Sequence, residues 1–495
     1  MKIIDLIKNQ NNVYTQGITD LYKELKITSK INLTDSNTIY FHLKQVGKKD
    51  YLFPTFINEP PFVTVCEHDI SGNIDNVPLI KVNNSRKALA YACSSESKID
   101  YSKTKIIGIT GTNGKSSTSE ILCKILREAG YSTGYIGTGK IRINDTLINE
   151  PTYSMTTPDP ELLYPIISRM INEGCQYIVM EISSHAIALS KIAPIHFECG
   201  IFTNLSREHM DFHNEMEGYY KTKLSLFNNC KCGIFNMDDE YSSRAYYEVR
   251  IPKFSVGVLN KADAYITDLK YSGIYGSSFF YREKNMIFKM KINLGGYYNI
   301  YNSLLAVKCA IALGISPCIT KKALLSLDKI PGRLERIEDG ITVIIDYAHT
   351  PLAFENVLKT INQSKKIGQN TIAVFGCGGE RDKTKRKEMG KIAEVLCDWS
   401  IVTEDNSRSE PFEMIKSDIL SGTQNTDKFT VIKSRSQAIK YAIIHAKKND
   451  IVAIIGKGDE KYLIDENGYQ PYSEKNIVID ALKERARIYA DQTGI

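Results

Sequence analysis

The chain has 495 residues, of which 42% are hydrophobic and 24% are charged, and its formal net charge is +6. This length exceeds one ordinary hydrophobic core and predicts roughly three domains. The composition is that of a globular protein. The positive charge is mild and no dense run of Lys and Arg occurs, which argues against a nucleic-acid partner and favours small anionic ligands.

The N-terminal segment, MKIIDLIKNQNNVYTQ, has no apolar core followed by a small-residue cleavage site. It therefore predicts a short amphipathic helix rather than a signal peptide. A run of about 18 apolar residues, which a membrane-spanning helix needs, does not occur. The 11 cysteines are scattered without a C-x-x-C pair, and only Cys230 and Cys232 are close in sequence. This pattern favours buried, reduced thiols in a cytoplasmic protein.

Residues 1–104 predict a small α/β domain. They combine the strand patterns FVTVCE and VPLIKV with the helix pattern SRKALAYACSS. The polar tract 93–105 that follows is typical of a linker.

From residue 105 onward, apolar strand patterns alternate with helix patterns. KIIGIT precedes the helix pattern SSTSEILCKILREAG, and the helix pattern ELLYPIISRMINEG precedes the strand pattern YIVMEI. This alternation predicts a parallel sheet with helices on both faces. Residues 105–331 are expected to form this central, P-loop-type domain.

A second alternating run begins near residue 341. It contains the strand patterns ITVIIDYAH, TIAVFGCGG, DWSIVTED and DIVAIIGKG, with helix patterns such as RSQAIKYAIIHAKK between them. Ligands collect at the carboxyl ends of such strands. Residues 332–495 therefore predict a Rossmann-like α/β domain. The segment 328–340 carries the Pro, Gly and charges of a hinge between the two sheets.

The segment GITGTNGKSST, residues 108–118, predicts a phosphate-binding loop between a strand and a helix. Its pattern is G-x-x-G-x-x-G-K-S, and Ile109 stands where the strict P-loop has its first Gly. Free backbone amides and the helix dipole favour anions at such a turn. Lys115 is expected to pair with the β- and γ-phosphates of ATP, and Ser116 to place its hydroxyl on Mg²⁺.

Two further segments contain candidate metal ligands. Glu181 ends the strand pattern YIVMEI and offers the hard oxygen that Mg²⁺ prefers. His209, Asp211 and His213 lie close together in TNLSREHMDFH. By residue type alone, His209 is more typical of a structural histidine.

Ten motifs, taken in order, resemble those of the Mur ligase family and most of all its MurE type. They are GTNGKSS, TTPD, MEISSH, FTNLSREHMDFH, NIYN, GRLE, DYAHTP, FGCGGERDKTKR, DNSR and GKGDE. The resemblance runs from about residue 105 to the C-terminus and is weak before it. It implies a three-domain ligase of peptidoglycan precursor synthesis, which phosphorylates the carboxylate of UDP-N-acetylmuramoyl-L-alanyl-D-glutamate with ATP. An amino acid then attacks the acyl phosphate, and ADP and phosphate are released.

The resemblance also assigns roles to individual residues. Those expected to bind ATP are Gly111, Thr112, Asn113, Gly114, Lys115, Ser116, Ser117, Asn299, Asn302, Arg333 and Asp346. Those expected to hold or support Mg²⁺ are Ser116, Glu181, His209 and Lys223. The expected catalytic residues are Lys115, His209 and Lys223.

Lys223 matches a lysine that the family carbamylates to N6-carboxylysine. A lysine amine is cationic and repels Mg²⁺, whereas its carbamate is an oxygen anion that can hold the ion. Without the resemblance, Lys223 is one of 63 basic residues and would be interpreted as part of a solvated helix face.

The expected substrates are a UDP-MurNAc-dipeptide and an amino acid. The contacts to the first are expected at Ser36, Thr156, Thr157, Ser183 and Lys191. The contacts to the second are expected at Arg381, Asp405, Asn406, Arg408, Gly456 and Glu460. DNSR resembles the D-N-P-R motif of enzymes that add meso-diaminopimelate, so this amino acid is the first expectation. L-Lysine or another amino acid stays open, because Ser407 replaces the Pro.

Departures from the family pattern are concentrated on the UDP-sugar side. Asn37 stands where an Arg follows the family's uridine-binding serine, and Met155 stands where the family has an Asn. Leu189 and Lys191 stand where it has Gln and Arg. Leu189 and Met155 cannot supply the hydrogen bonds of the residues they replace. The pattern therefore leaves open a ligase that joins an amino acid to a carboxylate without a UDP-sugar.

A non-catalytic, nucleotide-binding regulator is the alternative from another class. Glu181, His209 and Lys223 argue against it, because a binding protein has no need of two metal sites. A monomer without a nucleic-acid or membrane partner is expected, and its expected location is the cytoplasm.

Overall fold

The structure is a computed structural model of the chain, and it describes residues 1–8, 13–44, 52, 59–71, 78–149, 155–208, 210–213 and 215–493. Within this part of the chain, three large sheets follow one another in sequence, with five, eleven and six strands. Each sheet lies inside one of the predicted ranges 1–104, 105–331 and 332–495. The boundaries of these ranges stay predictions.

The N-terminal sheet is small and mostly parallel. Its strands are β1 (Tyr14–Gln16), β2 (Lys26–Thr28), β3 (Thr38–Phe41), β4 (Val63–Glu67) and β5 (Leu79–Val82). The order is β1-β5-β4-β3-β2, and only the β1–β5 pair is antiparallel. Helix α1 (Ile3–Lys8) contacts helix α2 (Ser85–Glu96), which packs on β3 and β4. The helix and strand predictions in this region are confirmed, although residue 77 of VPLIKV lies outside the described residues.

The connection after α2 is shorter than the predicted linker 93–105, because α2 includes the first residues of that range. Asn84 caps α2 by accepting a hydrogen bond from the Lys87 amide at 2.8 Å, and the helix continues to Glu96. The residues Cys93 and Ser94 are buried in this last turn. Along the chain, the short segment from Ser97 to Thr104 connects α2 to the first strand of the second sheet.

The central sheet has parallel strands in the middle and antiparallel strands at both edges. The strands are β6 (Lys105–Thr110), β7 (Thr133–Gly137), β8 (Lys140–Ile143), β9 (Thr146–Leu147), β10 (Tyr177–Glu181), β11 (Cys199–Phe202), β12 (Gly233–Asn236), β13 (Lys253–Gly257), β14 (Ala264–Tyr271), β15 (Ser277–Glu283) and β16 (Met286–Ile292). Their order is β16-β15-β14-β13-β12-β11-β6-β10-β7-β8-β9. The antiparallel pairs are β14–β15, β15–β16, β7–β8 and β8–β9.

Helices cover both faces of this sheet, as predicted. They are α3 (Lys115–Glu128), α4 (Pro160–Asn172), α5 (Ser184–Ala188), α6 (Met210–His213), α7 (Met216–Leu224), α8 (Glu240–Glu248), α9 (Tyr297–Ala312) and α10 (Pro317–Leu325). Ile106 of β6 lies in one apolar core with α4, whereas Ile107 and Ile109 lie in another with α3 and α9. Neighbouring residues of a strand point to opposite faces, which separates the two cores.

The C-terminal sheet is parallel except at one edge. Its strands are β17 (Glu335–Glu338), β18 (Thr342–Asp346), β19 (Thr371–Phe375), β20 (Trp399–Val402), β21 (Phe429–Val431) and β22 (Ile451–Ile455), in the order β17-β18-β22-β19-β20-β21. The helices are α11 (Pro351–Ser364), α12 (Thr384–Leu396), α13 (Phe412–Leu420), α14 (Arg435–His445) and α15 (Glu474–Thr493). A hairpin of β23 (Tyr462–Asp465) and β24 (Gly468–Pro471) precedes α15. The antiparallel strand β17 lies within the predicted hinge 328–340.

All eleven cysteines are free thiols, as the sequence predicts. Nine are buried, Cys232 is half-buried and Cys318 is exposed. Among the described helices, none combines the length and the apolar character that a membrane-spanning helix needs.

Candidate active site

The phosphate loop connects β6 to α3 at the carboxyl edge of the central sheet. Gly111 and Gly114 have positive φ angles of 145° and 84°. A Cβ on Gly111 would lie 1.9 Å from the Thr203 hydroxyl, so the loop also needs glycine for space. The Lys115 ammonium curls back and donates to the carbonyl oxygens of Gly111 and Thr112, at 2.9 and 2.7 Å. The predicted order of strand, loop and helix is confirmed, and phosphate binding by the loop stays a prediction.

Two residues that follow β11 fix the loop, and sequence reasoning assigned them no role. The Asn204 amide group donates to the Asn113 carbonyl and accepts from the Asn113 N–H, both at 3.0 Å. The Thr203 hydroxyl donates to the same carbonyl at 2.6 Å. Strand β11 lies beside β6, which brings these residues to the loop. Their position directly after the apolar segment CGIF, to which the sequence analysis assigned no strand, was the available signal.

Glu181 lies at the end of β10, next to the phosphate loop, and its side chain is fully buried. The Ser116 and Thr138 hydroxyls donate to its Oε2 at 3.0 and 3.3 Å, and the Tyr135 hydroxyl donates to its Oε1. Arg333 donates to the Ser116 hydroxyl at 3.1 Å. The structure therefore brings together Ser116, Glu181 and Arg333, although Ser116 and Arg333 are 217 positions apart in sequence. Tyr135 and Thr138 were missed, because the β7–β8 hairpin carries no recognisable motif.

Lys223 projects from α7 toward the same loop and is 1% exposed. Its amine donates to the Gly111 carbonyl at 3.0 Å and to the Thr110 hydroxyl at 3.4 Å. Burial lowers the pKa of this amine well below that of an ordinary lysine, and the nearby charge of Lys115 lowers it further. The alternative of a solvated helix face is wrong for Lys223.

The histidine cluster is described only in part. His209 and the side chain of Asp211 lie outside the described residues. His213 lies at the end of α6, with 2.9 Å between its Nε2 and the Ser184 hydroxyl. Within the described ranges, no group of three or more His, Cys, Asp or Glu side chains is arranged to hold a metal ion.

A cavity of about 300 Å³ extends from the phosphate loop between α9 and the C-terminal sheet. Asn302 lines it, and the Asn302 amide donates to Asn299 Oδ1 at 2.9 Å. Asn299 in turn donates to the Gly295 carbonyl at 2.7 Å, so it supports Asn302 from behind. The Thr118 hydroxyl donates to Asn302 Oδ1 at 3.3 Å. The two predicted asparagines therefore form one ladder beside the cavity.

Arg333 and Asp346 form the opposite wall of this cavity. The Arg333 guanidinium lies 4.3 Å over the ring of Tyr347. The Asp346 carboxylate accepts from the Leu334 and Ala348 amides at 2.6 and 2.7 Å, which ties the hinge to β18. Burial raises the pKa of Asp346, and the charge of Arg333 opposes this shift.

The DNSR and GKGDE segments meet at the carboxyl edge of the C-terminal sheet. Asn406 Oδ1 accepts from the Lys457 ammonium and the Ile464 amide, both at 2.9 Å. The Asn406 amide donates to Glu460 at 3.2 Å, and Lys457 pairs with the same carboxylate at 2.7 Å. Lys457 is fully buried and was missed, although it lies within the GKGDE motif. A Cβ on Gly456 would lie 2.8 Å from an Asp405 carboxylate oxygen.

Arg408 and Arg381 both lie close to Gly378, near this cluster. Nη1 of Arg408 donates to the carbonyls of Gly379 and Asn406 at 2.8 and 3.1 Å. A Cβ on Gly378 would lie 3.4 Å from Nη1 of Arg408 and 3.7 Å from Cγ of Arg381. Arg381 itself is exposed. The six residues predicted to contact the amino acid therefore lie in one region.

The residues predicted to contact the UDP-sugar lie in two separate regions, four of them in the central domain and Ser36 in the N-terminal domain. The Thr157 hydroxyl donates to the Glu181 carbonyl at 2.9 Å and accepts from the Ser183 amide at 3.1 Å. Thr156 approaches Thr138, with 3.0 Å between the two hydroxyls, and Lys191 pairs with Asp159 at 2.6 Å. 

Ser36 is exposed in the N-terminal sheet region, where its carbonyl accepts from Lys23 at 2.9 Å. In the described part of the chain, no hydrogen bond or ion pair joins Ser36 to Thr156, Thr157, Ser183 or Lys191. The structure therefore brings these four together but does not connect them with Ser36.

Two family descriptions match the chain. Residues 109–310 match the Mur ligase middle domain, and residues 332–458 match the Mur ligase, glutamate ligase domain. A relative from Clostridium acetobutylicum, named UDP-N-acetylmuramoyl-L-alanyl-D-glutamate--2,6-diaminopimelate ligase 1, is 39% identical over 85% of this chain and 87% of its own length. The ligase of that name from Syntrophomonas wolfei is 32% identical over 98% of this chain and 100% of its own.

A solved structure supports the fold over the whole chain. A structure titled as a UDP-N-acetylmuramoyl-L-alanyl-D-glutamate--2,6-diaminopimelate ligase matches with a TM-score of 0.64 and 22% identity. The match covers 98% of this chain and 99% of that one. The predicted three-domain α/β fold is confirmed. The chain belongs to the Mur ligase family of ATP-dependent, amide-bond-forming enzymes.

Proposed function

We propose that this chain joins meso-diaminopimelate to UDP-N-acetylmuramoyl-L-alanyl-D-glutamate with ATP, in peptidoglycan precursor synthesis. The names of its relatives from Clostridium acetobutylicum and Syntrophomonas wolfei support this substrate pair. The observation that carries the proposal is the position of Glu181, whose buried carboxylate accepts from the Ser116 hydroxyl of the phosphate loop at 3.0 Å. A buried anion beside the phosphate loop fits a Mg²⁺ ion held together with the nucleotide, which phosphoryl transfer requires.

In the proposed reaction, the phosphate loop and Arg333 orient ATP. A carboxylate oxygen of the acceptor attacks the γ-phosphorus, the bond to ADP breaks, and an acyl phosphate forms. Lys115 lies close to the loop carbonyls, and as an ammonium it can move onto the phosphates and offset the repulsion between two anions. Asn302, supported by Asn299, borders the cavity that we assign to the adenosine part.

The residues around the loop fit Mg²⁺. Ser116 and Glu181 offer hard oxygen atoms 3.0 Å apart, and Mg²⁺ is held in nucleotide sites by a few such groups together with phosphate oxygens. When bound, Mg²⁺ would neutralise charge on the transferring phosphoryl group. His209 stays a predicted ligand, since it lies outside the described residues.

Carbamylation of Lys223 is part of the proposal. Only a neutral amine reacts with carbon dioxide, and burial lowers the pKa of this amine. The reaction forms a nitrogen–carbon bond and releases a proton. The product is an anion next to the phosphate loop, where a second Mg²⁺ would need an oxygen ligand.

The second chemical step uses the C-terminal cluster. The amine of the incoming amino acid attacks the acyl carbon, a tetrahedral intermediate forms, and phosphate and a proton leave. Arg408 keeps N–H groups besides those donated to Gly379 and Asn406, and a guanidinium binds a carboxylate through two parallel hydrogen bonds. We assign it to the distal carboxylate of meso-diaminopimelate.

A ligase that acts on a carboxylate outside the UDP-sugar class is the second candidate. Lys191 is already paired with Asp159 at 2.6 Å, and Met155 and Leu189 offer no side-chain hydrogen bond.

We also propose that the three ranges 1–104, 105–331 and 332–495 act as separate domains of a monomer. The use of ATP and of a nucleotide sugar suits the cytoplasm.

The test is amino-acid-dependent phosphate release from ATP and Mg²⁺. The acceptor is UDP-MurNAc-L-Ala-D-Glu, and the amino acids are meso-diaminopimelate, L-lysine and L-ornithine. Release with meso-diaminopimelate and a product of matching mass supports the proposal. Release with another amino acid corrects the substrate. An absence of release with all three, from folded protein that binds ATP, favours a different carboxylate.

A further inference from the structure

The turn between β7 and β8, residues 137–140, contacts two of the predicted subsites of the central domain. Gly137 lies against Glu181, because a Cβ there would lie 2.3 Å from both Glu181 Oε1 and the Tyr135 hydroxyl oxygen. Thr138 donates to Glu181 at 3.3 Å and approaches the Thr156 hydroxyl at 3.0 Å. The turn is therefore fixed against the carboxylate that we assign to Mg²⁺ and against the acceptor side of the site.

Lys140, at the end of this turn, forms an ion pair with Asp459 of the C-terminal domain. The side chains are 20% and 19% exposed, so water and salt screen the pair less than an ordinary surface pair. Asp459 adjoins Glu460, which holds Asn406 and Lys457 in the amino-acid cluster. One ion pair thus joins the metal side of the central domain to the loop of the amino-acid site.

The predicted hinge, residues 328–340, packs closely against the loop 456–460 that contains Asp459. A Cβ on Gly332 would lie 2.3 Å from the Asp459 backbone nitrogen, and Gly332 has a positive φ of 66°. The loop 456–460 is therefore held on one side by the hinge and on the other by Lys140. Its position relative to the central domain depends on both contacts.

We propose that Lys140 and Asp459 form a docking pair that positions the bound amino acid for attack on the acyl phosphate. The inference rests on the proposed function, in which one reactant is bound by the central domain and the other by the C-terminal domain. The amine must come within about 3–3.5 Å of the acyl carbon, and an error of 1 Å costs about a hundredfold in rate. Both residues act through the loop and are positioning residues.

The test is a charge exchange with steady-state kinetics. We expect Lys140→Glu and Asp459→Lys each to lower kcat/KM for the amino acid by about tenfold or more, since like charges then separate the loop from the turn. The KM for ATP should stay within about twofold of the wild type. The double variant, which restores the attraction with reversed signs, should recover to within about threefold of the wild type.

The charge-reversal control is Lys231→Glu. It reverses the charge of a lysine that pairs with Glu198 at 2.7 Å, within the central domain and away from the site. We expect it to behave as the wild type, and thermal unfolding should show all variants folded. Unchanged kinetics in both single variants, or a double variant as impaired as the product of the two singles, would overturn the inference. Failure of the wild type itself with every amino acid would instead contradict the proposed function.

Discussion

The amine of Lys223 donates a hydrogen bond to the carbonyl oxygen of Gly111, with 3.0 Å between the two atoms. A lysine from α7 therefore contacts Gly111 of the phosphate loop, across 112 positions of sequence. The buried amine has no carboxylate in hydrogen-bond range in the described part of the chain. This is an unfavourable place for a cation and a suitable one for a neutral amine that takes up carbon dioxide.

We predict that Lys223→Ala loses about a hundredfold or more of ligase activity, because the variant cannot form the carbamate that would hold Mg²⁺. Short-chain carboxylic acids should restore part of the activity by placing a carboxylate in the space left by the side chain. The measurement is phosphate release at increasing acetate or propionate. Full activity of Lys223→Ala without any addition would show that the carbamate has no role.

Glu181→Gln should weaken Mg²⁺-dependent nucleotide binding by about tenfold to a hundredfold. The substitution preserves the size of the side chain but replaces a carboxylate oxygen with an amide. Calorimetric titration of ATP at several Mg²⁺ concentrations measures the change apart from catalysis. Glu198→Gln, at the Lys231 ion pair, is the control and should bind like the wild type. Equal Mg²⁺ dependence in both variants would remove Glu181 from the metal site.

Arg408→Ala should raise the KM for meso-diaminopimelate by about tenfold to a hundredfold and leave the KM for ATP nearly unchanged. A hydrogen bond to a charged group contributes about 1.5–3 kcal/mol, which sets this range. Arg408 has a left-handed backbone with a φ of 55°, and alanine retains that strain, so the comparison isolates the side chain. Parallel increases in both KM values would contradict the assignment of Arg408 to the amino acid.

Glu410 links the amino-acid loops to the core of the C-terminal domain. Its carboxylate accepts two hydrogen bonds from the fully buried Arg386, both at 2.8 Å, and one from the Glu380 amide at 2.9 Å. These bonds, the ones from Arg386 above all, hold the pKa of Glu410 well below its ordinary value of 4.5. The stabilisation is present above that ordinary value and is lost as the pH falls toward the lowered pKa.

We predict that Glu410→Gln lowers the free energy of unfolding of the C-terminal domain by about 2 kcal/mol at pH 7, because it removes the charge that pairs with the buried Arg386, which keeps its second partner Asp418 at 2.8 Å. The difference from the wild type should shrink as the pH falls below about 4.5, where the wild-type carboxylate loses its advantage. Urea unfolding at pH 7, 5 and 4 measures this trend. A difference that stays constant over this range would exclude Glu410 as the source of the pH dependence.

Helices and strands of this protein could be predicted from sequence where the pattern of apolar residues agrees with the glycines that separate one element from the next. Strand β6 begins and ends with the pattern KIIGIT, and α3 begins at Lys115, because Gly114 with its positive φ separates loop from helix. The nearly continuous apolar run of β6 indicates a strand that is buried on both faces, which the two cores confirm. These patterns involve residues that are close in sequence, so they can be recognised without knowledge of the tertiary structure.

The contacts that complete the site could not be predicted in the same way. Asn204 meets Asn113 across 91 positions, and Lys140 meets Asp459 across the hinge. Neither contact leaves a periodic or compositional trace, since each depends on which strands become neighbours. Tyr135 likewise reaches Glu181 only because β7 pairs with β10. The antiparallel strands at both edges of the central sheet could not be predicted for the same reason, because their direction depends on which strands become neighbours.

The distribution of the thiols allows the natural chain to be labelled with a dye at one position, so that the relative movement of its domains can be followed. Cys318, near the start of α10, is exposed, while burial raises the pKa of buried thiols such as Cys123, to about 12, and Cys377, to about 12. A maleimide dye should therefore attach at Cys318 without any cysteine being removed. The only tryptophan, Trp399, lies in β20 of the C-terminal domain. Energy transfer between the two would follow the approach of the C-terminal domain to the central domain while substrates bind.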